Sequence, residues 1–468
     1  MDRRQFLNLS AAGATAALLQ QHPTVALSKD RPNVLFLPVD DLNDWIGCMG
    51  GHPNAKTPNI DALAKRGMLF NNAYCSAPLC NPSRASLLSG MRPSTTGVYG
   101  NQQPLRKAVP DVVTLPQHFG NNGYGVQGGG KVFHGGIPDP DSWDFYFSDG
   151  KWPRPANTPV NGIHNAGGFD WSPIDAEDTD IKDGLVANWA IGELGKQQDK
   201  PFFLAPGLFR PHLPWYVPQK YFDMHSLDSI TLPTVKTDDL DDVPPIGRQM
   251  AIDGIEYDAA EGGDHDAVLR TKQWKKGVQG YLASMSFADA QIGRMLEALD
   301  NSPFKDNTII VLWGDHGWHL GEKLHWRKHA LWEEATRNPL IIVAPGVTKP
   351  NSRCFRTVSL LDLYPTLVEL CGLSDNPKLE GASLVPLLKN PEKNWDRPAV
   401  TTYKFNNHAV RDERWRYIRY SDGAEELYDH RVDELEWHNL ANDPKYDDVK
   451  KKLAQWLPKN NAPDGPTK

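Results

Sequence analysis

The chain has 468 residues, with 50 Lys and Arg against 58 Asp and Glu, a formal net charge of −8. Charged residues make up 23% and hydrophobic residues 40%, which excludes a strongly basic nucleic-acid binder and a disordered, charge-dominated chain. The length suits one large α/β domain with a smaller appendage, and a polyanionic ligand would need a local basic cluster inside this acidic chain.

The chain opens Met1-Asp2-Arg3-Arg4-Gln5-Phe6-Leu7, and a small-residue apolar run follows over residues 9–19. That run is too short to span a bilayer, which takes about 20 apolar residues. Paired arginines before it read as a twin-arginine export signal over residues 1–28. A periplasmic or secreted protein, exported already folded and with no stable membrane insertion, is expected.

Residues 33–39 are almost wholly apolar, as a strand buried on both faces should be, and Asp40 and Asp41 end it. Thr57-Pro58 then starts a helix. Further buried strands are predicted over residues 123–127, 201–205, 308–313 and 340–343. Helical patterns lie between them, at 181–196, 274–299 and 360–370. This alternation predicts an α/β fold whose mostly parallel sheet is covered by helices on both faces. In such sheets ligands bind beyond the carboxyl ends of the strands, where Asp40-Asp41 and Asp315-His316 both fall. Residues 138–168 and 238–266 read as long irregular loops, of the kind that form lids or substrate walls. From about residue 390 short strand-like runs (399–403, 415–420) and a helix at 447–456 predict a small α+β subdomain over 391–468, after a main domain over 31–390.

There are five cysteines, at positions 48, 75, 80, 354 and 371. None has zinc-ribbon spacing, and the sequence leaves open whether Cys354 and Cys371 pair. Cys80 stands out because Cys80-Asn81-Pro82-Ser83-Arg84 precedes an apolar run. Pro82 suits the first turn of a helix, so Cys80 sits at or just before a helix N-terminus, where orphan N–H groups favour an anion. Arg84 adds a planar donor suited to a tetrahedral oxyanion.

At these residues the chain resembles the formylglycine-dependent sulfatase family. Cys-x-Pro-x-Arg is similar to its signature, in which a formylglycine-generating enzyme oxidises the Cys. Other segments agree in order: Pro32-Asn-Val-Leu-Phe with Asp40-Asp41, Gly130-Lys131-Val-Phe-His134, Arg210-Pro-His212, Gly314-Asp315-His316-Gly317, and Glu426-Leu-Tyr-Asp429 with Asn439-Leu-Ala441. The resemblance covers roughly residues 31–445 and is nearest the iduronate-2-sulfatase branch. It implies an alkaline-phosphatase-like fold and a sulfuric ester hydrolase acting on a sulfated uronic acid or related oligosaccharide.

The resemblance also implies roles. Asp40, Asp41, Asp315 and His316, with residue 80, would hold one metal ion, Ca²⁺ by family pattern; three carboxylates are hard oxygen ligands suited to it, while His316 stands where many relatives have Asn. The aldehyde at 80 would hydrate to a diol, one hydroxyl attacking sulfur and the other expelling sulfate. Arg84, Lys131 and Lys328 would offset the sulfuryl charge, His134 would bond the diol, and His212, with Lys328, would face the leaving oxygen as proton donor. His319, His325 and His329 have no match and read as loop residues. The alternatives are a phosphonate or phosphodiester hydrolase on the same scaffold, a choline-sulfatase-like enzyme, and a binding protein without catalysis.

Overall fold

A computed structural model describes residues 31–135, 137–164, 167–252 and 263–467; the expected export signal lies outside them. Eight strands form the main sheet: β1 (Asn33–Val39), β2 (Met68–Tyr74), β3 (Gly125–Gly130), β4 (Phe145–Phe147), β5 (Phe202–Gly207), β6 (Thr308–Gly314), β7 (Leu340–Val343) and β8 (Ser352–Ser359). Their order is β8-β2-β7-β6-β1-β5-β3-β4. Every neighbouring pair is parallel except those made by β7, which runs antiparallel to β6 and β2.

Side-chain alternation along β1 divides the core into two layers. Leu35, Leu37 and Val39 face the long helix Trp274–Asp300, with Tyr281, Met285 and Ile292. Val34 and Phe36 face the other layer, with Leu87 and Leu88 of helix Cys80–Ser89 and Leu367 of helix Leu363–Cys371. The helix after β1 begins at Pro58, as predicted.

Four differences from the sequence reading have physical causes. Strand β2 carries Asn71 and Asn72 inside an otherwise apolar run, so its pattern is interrupted. Strand β8 lies at the sheet edge, where Arg353 and Phe355 stay exposed and no continuous apolar run is needed. The expected loop at 138–168 contains β4, which pairs with β3 as the opposite edge strand. The expected loop at 238–266 contains helices Pro245–Ile252 and Gly263–Arg270.

Near the C-terminus, β9 (Ala399–Thr402), β10 (His408–Arg411), β11 (Trp415–Arg419) and β12 (Glu425–Asp429) form a sequential antiparallel sheet. Helix Asp447–Ala454 packs on one face through Leu453. The other face meets Ala330, Leu331, Trp332 and Ala335 of the main domain. Glu333 bolts the two together: its carboxylate takes Arg411 Nε at 3.2 Å, the Arg416 guanidinium and the Tyr74 hydroxyl at 2.8 Å. Burial pushes the Glu333 carboxyl up, but Arg411, His430, Arg416 and Arg337 hold it well below the usual carboxylate range. Cys354 and Cys371, like the other three cysteines, are free thiols.

Candidate active site

Five chain segments leave the carboxyl ends of parallel strands and converge. Strand β1 delivers Asp40 and Asp41, β2 leads to Cys80, and β3 ends at Gly130 just before Lys131 and His134. Strand β5 leads to Arg210 and His212, and β6 to Asp315 and His316. The ends of β3 and β5 come close only because position 130 is glycine. It has φ +70°, and a Cβ there would lie 2.0 Å from the Gly207 carbonyl.

Cys80 is the first residue of its helix, whose ten residues are all buried, and Gly90 closes that helix in the left-handed conformation. The Cys80 sulfur lies 2.9 Å from Lys328 Nζ, 3.5 Å from His316 Nε2, 3.7 Å from Lys131 Nζ and 4.0 Å from Asp41 Oδ1. Burial pushes the thiol up. Lys131 and Lys328, with hydrogen bonds from His134 and His212, outweigh burial and hold it well below a normal thiol.

The acidic half of the site is built around Asp40, Asp41 and Asp315. Asp40 accepts from Arg84 at 3.1 Å and pairs with Lys131, and His212 Nε2 stands 4.0 Å away. Burial and the Cys80 charge raise its carboxyl, but Lys131, His212 and Arg84 win and keep it well below the usual range. Asp41 adopts φ 57°, which Asp tolerates better than most residues. The Tyr281 hydroxyl fixes that turn by donating to the Asp41 carbonyl at 2.8 Å and accepting from Asn43 N at 2.9 Å. Asp41 Oδ1 meets Lys328 Nζ at 2.6 Å and His316 Nε2 at 3.3 Å. Asp315 accepts from Arg84 Nε at 2.8 Å and from Asp41 N at 3.0 Å. Burial lifts Asp315 to about 7 despite Arg84 and His316. Burial lowers His316, but Asp315 overrides it and the imidazole is pushed up to about 9.

These residues fit a bound cation. Asp41 Oδ2 is buried with no hydrogen-bond partner, a costly state for a carboxylate oxygen in the interior. Ligand atoms of Asp40, Cys80, Asp315 and His316 lie within 4.8 Å of one another, and so do those of Asp40, Asp41, Cys80 and His212. Together the two groups offer three carboxylates, two imidazoles and the side chain of residue 80, and the carboxylates are hard oxygen donors.

Arg84 is built into the frame of the site. It is fully buried, and its donors go to Asp40, Asp315 and the Lys131 and Val132 carbonyls. The guanidinium therefore braces two carboxylates and the β3 loop. Lys131 and Lys328 both reach the Cys80 sulfur. His134 is mostly buried, which lowers its pKa, and its Nδ1 has no partner. His212 is 34% exposed at the side chain, and its Nδ1 meets the Leu213 carbonyl at 2.6 Å. It faces both solvent and the centre.

His319 lies in a short strand, His325 and His329 are loop residues as expected, and all three are buried. His325 sits between the carbonyls of Ala251 and Lys328, at 2.9 and 2.6 Å, and so braces the turn that carries Lys328. Two positioning residues carry no signal in the sequence. Asp183 accepts from the backbone N–H of Phe209 at 2.9 Å and Arg210 at 2.8 Å, anchoring the loop of His212. Tyr281, which fixes Asp41, lies far along the chain on a helix that otherwise reads as core.

These strand ends gather a buried cysteine, a carboxylate set able to hold a cation and two lysines. The sulfatase family model matches residues 32–373, and the model of the N-sulphoglucosamine sulphohydrolase C-terminal region matches residues 314–462. The chain belongs to the sulfatase family and is a sulfuric ester hydrolase. A sulfatase of Formosa agariphila is 41% identical over 99% of this chain and 93% of its own. Human iduronate 2-sulfatase is 30% identical over 90% of this chain and 93% of its own. A 2-O GAG sulfatase of known structure superposes with a TM-score of 0.72 at 24% identity, covering 91% of each chain, and shares the fold.

Proposed function

We propose that this sulfatase removes a sulfate ester from a uronic-acid-containing oligosaccharide, using formylglycine made from Cys80 and one Ca²⁺ ion held by Asp40, Asp41, Asp315 and His316. The observation that carries the reading is the Cys80 sulfur ringed by Lys328, His316, Lys131 and Asp41 at 2.9 to 4.0 Å. The likeness to iduronate 2-sulfatase across nearly the whole chain supports the substrate class.

When present, the aldehyde and the metal supply a nucleophilic oxygen beside the sulfur atom and a Lewis acid for its oxygens. The side chains do the rest. Lys131 and Lys328, both buried, offset the sulfuryl charge. His134, kept neutral by burial, takes a proton from the group at position 80. His212 donates a proton from Nε2 to the leaving sugar oxygen, with its Nδ1 held by the Leu213 carbonyl. Arg84 and Tyr281 hold the carboxylates in place.

The proposal includes maturation by a formylglycine-generating enzyme, twin-arginine export to the periplasm or beyond, and a boundary near residue 390 between catalytic domain and C-terminal subdomain. Among the described residues no helix is long and apolar enough to cross a membrane. The test is a set of parallel rates for matured, Ca²⁺-loaded protein on a 2-O-sulfated uronate disaccharide, choline sulfate and a phosphate diester. The sugar sulfate should be preferred by at least about a hundredfold, some 3 kcal/mol of transition-state discrimination. A preference for either other substrate would overturn the reading.

A further inference from the structure

A cleft of about 590 Å³ lies beside the Cys80 helix, between the loop at residues 99–103, the turn at residues 403–407 and the extended C-terminal segment. That volume is in the range of small-molecule sites. Two of its lining residues contact the chain neighbours of Cys80 and Lys328. Asn101 lines the cleft and accepts the backbone N–H of Asn81, which follows Cys80, at 3.0 Å. Tyr403 lines it opposite, its ring 6.0 Å from that of His329, the neighbour of Lys328.

The turn presents an aromatic ring to the cleft. Phe405 is 46% exposed and meets Tyr99 edge-on at 6.0 Å. Lys404 and Asn406, on either side, both take left-handed conformations, φ 55° and 61°, which Asn tolerates and Lys adopts only where the surroundings impose it. Asn406 is tied to the C-terminal segment by Asn461 Nδ2 at 3.2 Å, and the strand before the turn is tied to the Cys80 loop by Thr402 N on the Ser76 carbonyl at 2.8 Å. The far wall is equally fixed. Gln103 Nε2 donates to Asp464 at 3.2 Å and to the Gly465 carbonyl at 2.9 Å, and the Gln103 carbonyl receives Asn81 Nδ2 at 2.8 Å. The cleft is therefore a built feature, rigidly referenced to the nucleophile position, with an exposed ring, the Lys404 cation and the Gln102 amide around it.

We infer that this cleft is a carbohydrate subsite for the sugar next to the sulfated one, and that the enzyme acts on an anionic oligosaccharide in preference to a free sulfated monosaccharide. The inference rests on the sugar-sulfatase reading above. The apolar face of a pyranose stacks on Phe405, as aromatic rings permit. Lys404 meets a carboxylate or sulfate on that second sugar, and Gln102 meets its hydroxyls.

The test compares Phe405→Ala and Lys404→Ala with wild type, as matured Ca²⁺-loaded enzymes. Each is assayed on a disaccharide bearing a 2-O-sulfated uronate and on the corresponding monosaccharide 2-sulfate. The ratio of kcat/KM for disaccharide over monosaccharide should fall about tenfold in Phe405→Ala, a change of roughly 1.4 kcal/mol, mainly through KM. An unchanged ratio would overturn the subsite. If wild type turns over neither sugar, the sulfatase substrate reading has failed separately, and calorimetry of Cys80→Ala protein with the same disaccharide decides. Binding weakened about tenfold by adding Phe405→Ala supports the subsite; equal binding, or none, overturns it.

Discussion

Replacing Arg84 by Lys keeps the charge and removes the fork. Because the charge stays, repulsion of an incoming cation changes little, and what is lost is geometry. Arg84 makes bonds to Asp40, Asp315 and the carbonyls of Lys131 and Val132. A single ammonium on a flexible stem cannot reach both carboxylates in the plane that the guanidinium spans. Losing one partner of a buried, hydrogen-bonded ion pair costs about 3–5 kcal/mol. With an unfolding entropy of ~2.1 cal/mol/K per residue over roughly 430 residues, that is a drop in Tm of about 3–5 °C. The Ca²⁺ affinity should fall by about 10- to 100-fold, as for other residues that orient metal ligands. Both are measured on unconverted protein, by calorimetry, so that failure of maturation cannot mimic the effect. An unchanged Tm together with an unchanged Ca²⁺ affinity would refute the bracing role.

His212→Asn should lower kcat on a sugar sulfate by about 10²- to 10⁴-fold yet spare 4-nitrophenyl sulfate, whose leaving group needs no proton; equal losses on both would show that His212 does not protonate the leaving oxygen. Glu333→Leu should destabilise the chain by about 3–5 kcal/mol, because Arg411 is left buried without its carboxylate while Arg416 keeps only Glu436, and denaturant unfolding followed at the C-terminal sheet reads it; a neutral result would mean apolar packing alone docks that sheet. Burial lifts the Asp183 carboxyl from 3.8 to about 6, against the opposing pull of the Arg210 and Phe209 N–H groups. The folded state then holds this proton more tightly than the unfolded state, so Asp183 costs stability as pH rises from about 4 to 6. The Tm of wild type minus that of Asp183→Asn should shrink over that range, and a constant difference would contradict the assignment.

Most of the sheet is legible in the sequence because buried parallel strands are continuous apolar runs, as 33–39, 308–314 and 340–343 are. Strands β2 and β8 are not legible, since two asparagines interrupt the first and an exposed edge relaxes the pattern of the second. The active centre is legible for the same reason that it exists: Asp40-Asp41 and Asp315-His316 fall directly after strands, and strand ends are where the fold gathers its chemistry. What the chain order hides is partnership. Cys80-Asn-Pro-Ser-Arg84 gives no sign that Arg84 turns inward to two carboxylates brought from strands β1 and β6. The bond between Tyr281 and Asp41 spans 240 positions, and Asp183 acts on the His212 loop through backbone N–H groups that have no signature. The same holds for one of the two carbonyl contacts of His325, that of Ala251, 74 positions away.

The central claim is that position 80 carries an aldehyde in the working enzyme. It is tested most directly by peptide mass spectrometry across residues 71–92 of protein from a host with formylglycine-generating machinery. Conversion of the thiol to an aldehyde lowers the mass by about 18 Da, a change distinct from every step of ordinary cysteine oxidation, which adds oxygen. The account predicts that loss at Cys80. A Cys80 thiol that persists in a host able to convert it would contradict the account.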